Sequence, residues 1–88
     1  MWFRPEDHRA VGECLAALRK GQGVTQRALA VSLGKPQSFV SSYEQGQRRL
    51  DLLEFLHIIE FLNGDAPAIF AEVLVRRRLR RGVIRRRR

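Results

Sequence analysis

Five uncharged hydrogen-bonding side chains are clustered in one short stretch of this sequence, at Gln37, Ser38, Ser41, Ser42 and Gln45. If the stretch is helical, residues 38, 41, 42 and 45 share one face, because positions three and four apart are neighbours on a helix. Amides and hydroxyls donate and accept hydrogen bonds without the charge that Lys and Glu carry. We call these five residues the polar face and take them as the first candidates for recognition of a partner.

Patterns that would indicate catalysis or metal binding are missing from the sequence. His8 and His57 are far apart and have no Cys pair or acidic companion at ligand spacing. Cys14 lies in an apolar periodic stretch and is interpreted as a small buried hydrophobic residue. Glu54 and Glu60 are predicted on a helix surface with nothing to pair them for acid–base work. We therefore expect a protein that is not an enzyme and has no metal and no cofactor.

Helical spacing of apolar residues precedes the polar face, and no strand pattern is present. We predict helix one over residues 6–20, ended by Gly21 in the left-handed conformation. Its apolar positions are Val11, Cys14, Leu15 and Leu18. Thr25 is predicted to be the N-cap of helix two, because its hydroxyl can accept from an otherwise unpaired backbone N–H. Gly34 is predicted to end helix two.

The polar face is placed on helix three, which we predict to begin at Pro36 and to end at Gly46. Proline fits a first turn, where its missing N–H would be unpaired in any case. Val40 and Tyr43 are predicted to face inward.

Two further helices complete an all-α, five-helix domain. Asp51 and Glu54 form a capping-box-like start for helix four, predicted over residues 52–62. Helix four has more apolar residues than one buried stripe requires, so we expect it to be covered on two sides. Helix five is predicted to begin at Asp65 and to run to about residue 79 or 81.

Helices two and three, joined by a turn of three or four residues, have the helix-turn-helix arrangement. Ala30 is small where the helices cross, Gly34 turns the chain with a positive φ, and Val40 packs helix three onto helix two. Residues 25–51, TQRALAVSLGKPQSFVSSYEQGQRRLD, closely resemble the helix-turn-helix family of phage lambda-type repressors, Cro proteins and their bacterial relatives. The matching residues are Thr25, Gln26, Leu29, Ala30, Leu33, Gly34, Gln37, Ser38, Val40, Ser41, Glu44 and Gly46.

The resemblance implies a lambda-repressor-like domain that inserts helix three into the major groove of double-stranded DNA. The base-contacting positions of the family fall on Gln37, Ser38 and Ser42, and Ser41 lies on the same face. Gln can pair bidentately with adenine, and Ser can bond either class of base edge. The family often has a longer side chain where Ser42 stands, so Ser42 reads its base through water or not at all. For Phe39 we expect packing beside the core rather than contact with a thymine methyl.

The resemblance also implies phosphate contacts and a supporting ion pair. The position of Gln26, in the first turn of helix two, bonds a DNA phosphate in the family, and the helix N-terminus favours the same contact. Arg48 and Arg49, in the loop after helix three, are further candidates for phosphate contact; the alternative is a merely solvated loop. Arg19 and Glu44 resemble the family's salt bridge between helices one and three, which orients helix three without touching bases.

The net charge of +8 is concentrated at the C-terminal end. Residues 1–75 hold eight Lys or Arg and nine Asp or Glu, whereas residues 76–88 hold nine Arg and no acid. We divide the chain into a helix-turn-helix domain, residues 1–79, and an Arg-rich tail, residues 80–88. The tail is interpreted as an arm that follows DNA phosphates. The alternatives are an extension of helix five, a site for RNA or an acidic partner, and a solvated tail.

From these features we expect a transcriptional regulator, repressor-like, that binds double-stranded DNA in a sequence-specific way. We expect it to act as a homodimer, because one such domain reads only a half-site. One alternative is an antitoxin or other protein-interaction module that binds DNA only within a complex, for which helix four offers a surface. Another is a general nucleic-acid binder that works through its tail.

A lone cysteine indicates a reducing compartment, and no apolar run approaches the roughly 20 residues that span a membrane. The N-terminal residues lack a signal-peptide pattern, so we expect a cytoplasmic location.

Overall fold

A computed structural model of the chain describes residues 5–81, which form five helices. They are α1 (Pro5–Gly21), α2 (Gln26–Leu33), α3 (Gln37–Glu44), α4 (Leu52–Phe61) and α5 (Ala66–Arg81). No strand occurs within this range, and the all-α prediction is confirmed. Residues 82–88 of the predicted tail lie outside the described residues, and the division at residue 79 stays a prediction.

The caps predicted for the N-termini of α2 and α4 are present in the structure. The Thr25 hydroxyl accepts from the backbone N–H of Ala28 at 3.0 Å and caps α2. At the start of α4, the Asp51 carboxylate accepts from the N–H of Glu54 at 2.7 Å, and the Glu54 carboxylate accepts from the N–H of Asp51 at 3.0 Å. This reciprocal pair is the predicted capping box.

The end of α1 differs from the prediction. Gly21 is the last helical residue, and the positive φ occurs two residues later, at Gly23, with φ 72°. The backbone N–H of Val24 bonds back to the carbonyl of Arg19 at 3.2 Å, so hydrogen bonding that begins in α1 continues past Gly21. The residue in the left-handed conformation that closes the C-terminal end of α1 is therefore Gly23.

The bounds of α3 also differ from the prediction by one or two residues. Pro36 is the N-cap, with ψ 155°, and the helix begins at Gln37. The helix ends at Glu44, two residues before Gly46, which has φ 78°. Gly34 ends α2 in the left-handed conformation, φ 69°, as predicted.

The core is a single cluster to which all five helices contribute. Its buried members are Cys14, Leu15, Leu29, Ala30, Val40, Tyr43, Phe55, Ile58, Ile59, Leu62 and Val73. α1 packs against α3, α4 and α5. This arrangement gives α3 a rigid support on its inner side.

Close approach of α1 and α3 requires Gly12. A Cβ atom at this position would lie 2.6 Å from the carbonyl oxygen of Glu44 and even closer to that of Tyr43. Any side chain at residue 12 would therefore push α3 away from α1. Gly12 is a determinant of the orientation of α3 that the sequence analysis did not single out.

Candidate nucleic-acid interface

The polar face lies on the side of α3 that points away from the core. Val40 and Tyr43 are fully buried on the inner side. Of the polar face, Gln37, Ser38 and Gln45 are exposed, and Ser41 and Ser42 are half-buried. The Gln45 amide donates to the Ser41 hydroxyl at 3.4 Å. The face therefore presents short, neutral hydrogen-bonding groups on a rigidly supported helix.

An ion pair connects α1 to the end of α3. Arg19 donates from Nε to Glu44 Oε2 at 2.7 Å and from Nη2 to Oε1 at 3.1 Å. A third bond runs from Arg19 Nη1 to the carbonyl of Val24 at 2.8 Å. The side chains of Arg19 and Glu44 are only 9% and 7% exposed, and the hydrogen bonds to Glu44 raise the pKa of Arg19 above its ordinary value. This bidentate pair holds α3 at a fixed angle.

Hydrogen bonds continue from this pair to the polar face. The Gln26 amide donates to Glu44 Oε1 at 2.9 Å, and the Gln37 amide donates to the Gln26 carbonyl oxygen at 3.4 Å. Gln26, for which the family resemblance implies a phosphate contact, connects α2 to Glu44 and Gln37 in the structure. One hydrogen of its amide is used by Glu44, and the amide has a second.

The opposite edge of α3 carries an aromatic ring with two cations. Phe39 is half-buried and packs edge-on against Tyr43, with centroids 5.5 Å apart, so the structure places it beside the core as expected. Lys35 Nζ lies 5.4 Å and Arg48 Cζ 4.8 Å from the Phe39 centroid. Arg48 also donates to Glu54 Oε2 at 3.2 Å. Sequence reasoning identified Arg48 but missed Lys35, because Lys35 lies in the turn before α3, where helical i, i+4 spacing does not predict a contact.

Arg49 is exposed in the same loop as Arg48. Ala30, Gly34 and Val40, predicted to support the helix-turn-helix, lie at the junction of α2 and α3. Ala30 and Val40 are buried, and the turn formed by residues 34–36 has the predicted length.

Arg76 and Arg77, in the basic C-terminal region, form ion pairs with acidic residues of α1. Arg77 Nε donates to Asp7 Oδ1 at 2.8 Å, and Arg76 lies 3.6 Å from Glu13. These pairs connect α5 to α1. Both arginines are among the nine counted in residues 76–88, and these ion pairs make them part of the contact between α5 and α1.

The other residues considered for catalysis or metal binding are Cys14, which is buried, and the His, Asp and Glu side chains that could act as metal ligands. Burial raises the pKa of the Cys14 thiol to about 11, which agrees with its interpretation as a core residue. Within residues 5–81, no three His, Cys, Asp or Glu side chains come together as metal ligands. None of the five helices, as far as they are described, has the length and apolar character needed to cross a membrane.

Comparisons with known proteins agree with this architecture. A family model described as "Helix-turn-helix" matches residues 15–68, from the middle of α1 to the start of α5. The crystal structure of the clp gene regulator ClgR from C. glutamicum is similar over 84% of this chain and 95% of that chain, with a TM-score of 0.74 and 22% sequence identity. At that identity the likeness shows a common fold. Comparison with curated proteins gives no match.

Proposed function

Because this chain belongs to the lambda-repressor/Cro-like helix-turn-helix family, we propose that it is a sequence-specific regulator of transcription that inserts α3 into the major groove of double-stranded DNA. The observation that carries the proposal is the polar face, whose first residue, Gln37, is connected through Gln26 to the buried carboxylate of Glu44. Neutral groups held in this way favour hydrogen bonding to base edges over attraction to phosphate alone.

The dimensions of α3 suit this role. An α-helix with its side chains is about 10–12 Å across, and the major groove is about 12 Å wide. Gln37, at the N-terminal end, can pair bidentately with adenine, and Ser38 and Ser42 can bond either class of base edge at short range. The contact from Gln26 restricts the Gln37 side chain before binding, which reduces the entropy lost in the complex.

Phosphate contacts complete the proposed binding mode. Gln26 lies at the first residue of α2, where unpaired backbone N–H groups and the helix dipole favour an anion. Arg48 and Arg49 extend from the loop between α3 and α4. These contacts position the protein on DNA without reading its sequence.

We also propose that the protein acts as a homodimer. One domain reads a half-site, and two-fold sites require two copies. Leu52 and Leu53 on α4 and Phe70 and Leu74 on α5 are exposed large apolar residues. Leu52 and Phe70 line the same cavity of about 140 Å³, which reaches Phe55 and Val73 in the core. A second copy of the chain that covers these residues would remove this apolar surface from water.

Repression is the regulatory role that we propose, because a dimer bound over a promoter can exclude other proteins by occupancy alone. A reporter gene placed under the preferred site tests this role. Expression should fall when the protein is produced, and a rise in expression would contradict it.

Selection of bound sites from random duplexes tests the proposed function itself. We expect enrichment of one two-fold sequence, with half-sites about 34–36 Å apart or a multiple of that spacing. Sedimentation should show a dimer, alone or on DNA, and Phe70→Asp should weaken it. Absence of any enriched sequence would contradict sequence-specific binding. Enrichment only after another protein is added would favour the antitoxin-like alternative.

A further inference from the structure

We propose that Lys35, Phe39 and Arg48 form a phosphate clamp, in which Phe39 positions the two cations against the DNA backbone. The clamp lies on the edge of α3 opposite Gln26, so that the two edges meet the two strands that border the major groove. The inference rests on the proposed function and adds Lys35 as a binding residue and Phe39 as a positioning residue.

The two cations come from separate segments and meet at one ring. Lys35 belongs to the turn before α3, and Arg48 to the loop after it. Their charged centres are 5.4 and 4.8 Å from the Phe39 centroid, so they are at most about 10 Å from each other. Attraction between a cation and the face of an aromatic ring favours this arrangement.

The ring itself is held in place. It packs edge-on against Tyr43, which is 1% exposed, with an angle of 73° between the rings. A long, flexible Lys side chain that rests on a fixed ring has fewer conformations to lose when it binds an anion. Phe39 therefore reduces the number of conformations that the Lys35 side chain can adopt before it binds phosphate.

Arg48 is available to a phosphate although it pairs with Glu54. The Arg48 and Glu54 side chains are 46% and 30% exposed, and exposed ion pairs contribute little because water screens them. Glu54 also keeps its second carboxylate oxygen on the N–H of Asp51, so it has a partner when Arg48 moves to DNA.

The position of the clamp relative to Gln26 follows from helix geometry. Gln37 and Phe39 are two residues apart, which is about 200° around an α-helix. Gln37 meets Gln26 at one edge, and Phe39 meets Lys35 and Arg48 at the other. The other four residues of the polar face, Ser38, Ser41, Ser42 and Gln45, lie between these two edges. In the major groove the two edges of one helix face the backbones of different strands.

The first test measures binding of Lys35→Gln over a salt series. Each phosphate contact contributes about 0.9 to the slope of log affinity against log salt, which is roughly eightfold in affinity at about 0.1 M salt. We expect the slope to shrink by about 0.9 on the preferred and on an unrelated duplex alike. Arg78→Gln, which removes an exposed cation from α5, is the charge-matched control and should leave the slope unchanged. Equal changes in both variants would overturn the clamp in favour of a general charge effect.

The second test separates positioning from folding. In a Phe39→Leu background, the roughly eightfold loss caused by Lys35→Gln should fall below about threefold, because Lys35 is no longer held. In a Phe39→Trp background the full loss should return, since Trp also attracts cations. Melting curves establish that each variant is folded before binding is measured. An unchanged loss in the Leu background would overturn the role of Phe39.

The third test assigns strands with duplexes in which single phosphates are replaced by neutral methylphosphonates. Lys35→Gln should reduce the effect of replacement on one strand, where Arg48 remains, and Gln26→Ala should reduce it on the other, where the backbone N–H groups of α2 remain. Loss of sensitivity on the same strand for both variants would overturn the proposed placement. If the wild-type protein lacks sequence preference but Lys35→Gln still reduces the slope, sequence-specific regulation is wrong and the clamp is retained.

Discussion

Replacement of Glu44 with alanine is expected to lower the free energy of unfolding by about 3–5 kcal/mol, as for other broken buried ion pairs. The Glu44 carboxylate accepts two hydrogen bonds from Arg19 and one from Gln26. The alanine variant removes all three and leaves a 9% exposed guanidinium with the carbonyl of Val24. For a domain of this size, each kcal/mol shifts the midpoint by roughly 4–8 °C, so we expect a loss of roughly 12–40 °C. Thermal and urea unfolding, followed by circular dichroism, measure the change.

Two further variants decide whether burial is the cause. Arg48→Ala breaks an ion pair of similar chemistry between exposed side chains and should cost at most about 1 kcal/mol. The double variant Arg19→Met/Glu44→Leu should recover much of the loss, because no charge is left buried. If Glu44→Ala costs no more than Arg48→Ala, the pair does not hold α3 in the way that its geometry indicates.

Three other predictions concern packing, pH and the tail. Gly12→Ala should lower the free energy of unfolding by about 1–3 kcal/mol, because the added Cβ would meet the backbone of α3. Gly21→Ala is the control: its Cβ would have no atom within 4 Å, so this variant should be neutral or stabilising when both are compared by urea unfolding. The Cys14 thiol loses its proton near pH 9 in the unfolded chain and only near pH 11 in the folded chain, so the free energy of unfolding should fall as the pH rises between these values. Urea unfolding across this pH range measures the decline, and Cys14→Ala should lack the part that is due to the thiol. Deletion of residues 82–88 removes four Arg and should reduce the salt slope of DNA binding by about two units while sequence preference survives; an unchanged slope would show that the tail does not engage DNA.

The sequence predicts those parts of the fold that depend on near neighbours. The Thr25 cap, the Asp51–Glu54 capping box and the left-handed Gly34 each involve residues within about three positions, so residue type and spacing are sufficient. The pairing of Arg19 with Glu44 spans 25 positions and became predictable only through the family resemblance.

Contacts that depend on how helices pack could not be predicted in this way. Gly12 looks like any helical glycine until α3 is placed against it. Asp7 and Arg77 are 70 positions apart, and nothing local indicates that α5 returns along α1. The same reason explains Lys35, because neither its contact with Phe39 nor the position of Arg48 at the same ring follows from local spacing. Long-range register is fixed by the packing of the whole core, which no local pattern encodes.

Whether α3 reads base sequence is tested most directly by the affinities of the wild type and Gln37→Ala for the preferred duplex and for an unrelated duplex, all at one salt concentration. We expect the variant to lose about 1–3 kcal/mol on the preferred duplex, which is roughly 5- to 150-fold in affinity. Its affinity for the unrelated duplex should not change, because phosphate contacts remain. Equal weakening on both duplexes, or no weakening on either, would contradict sequence reading by α3.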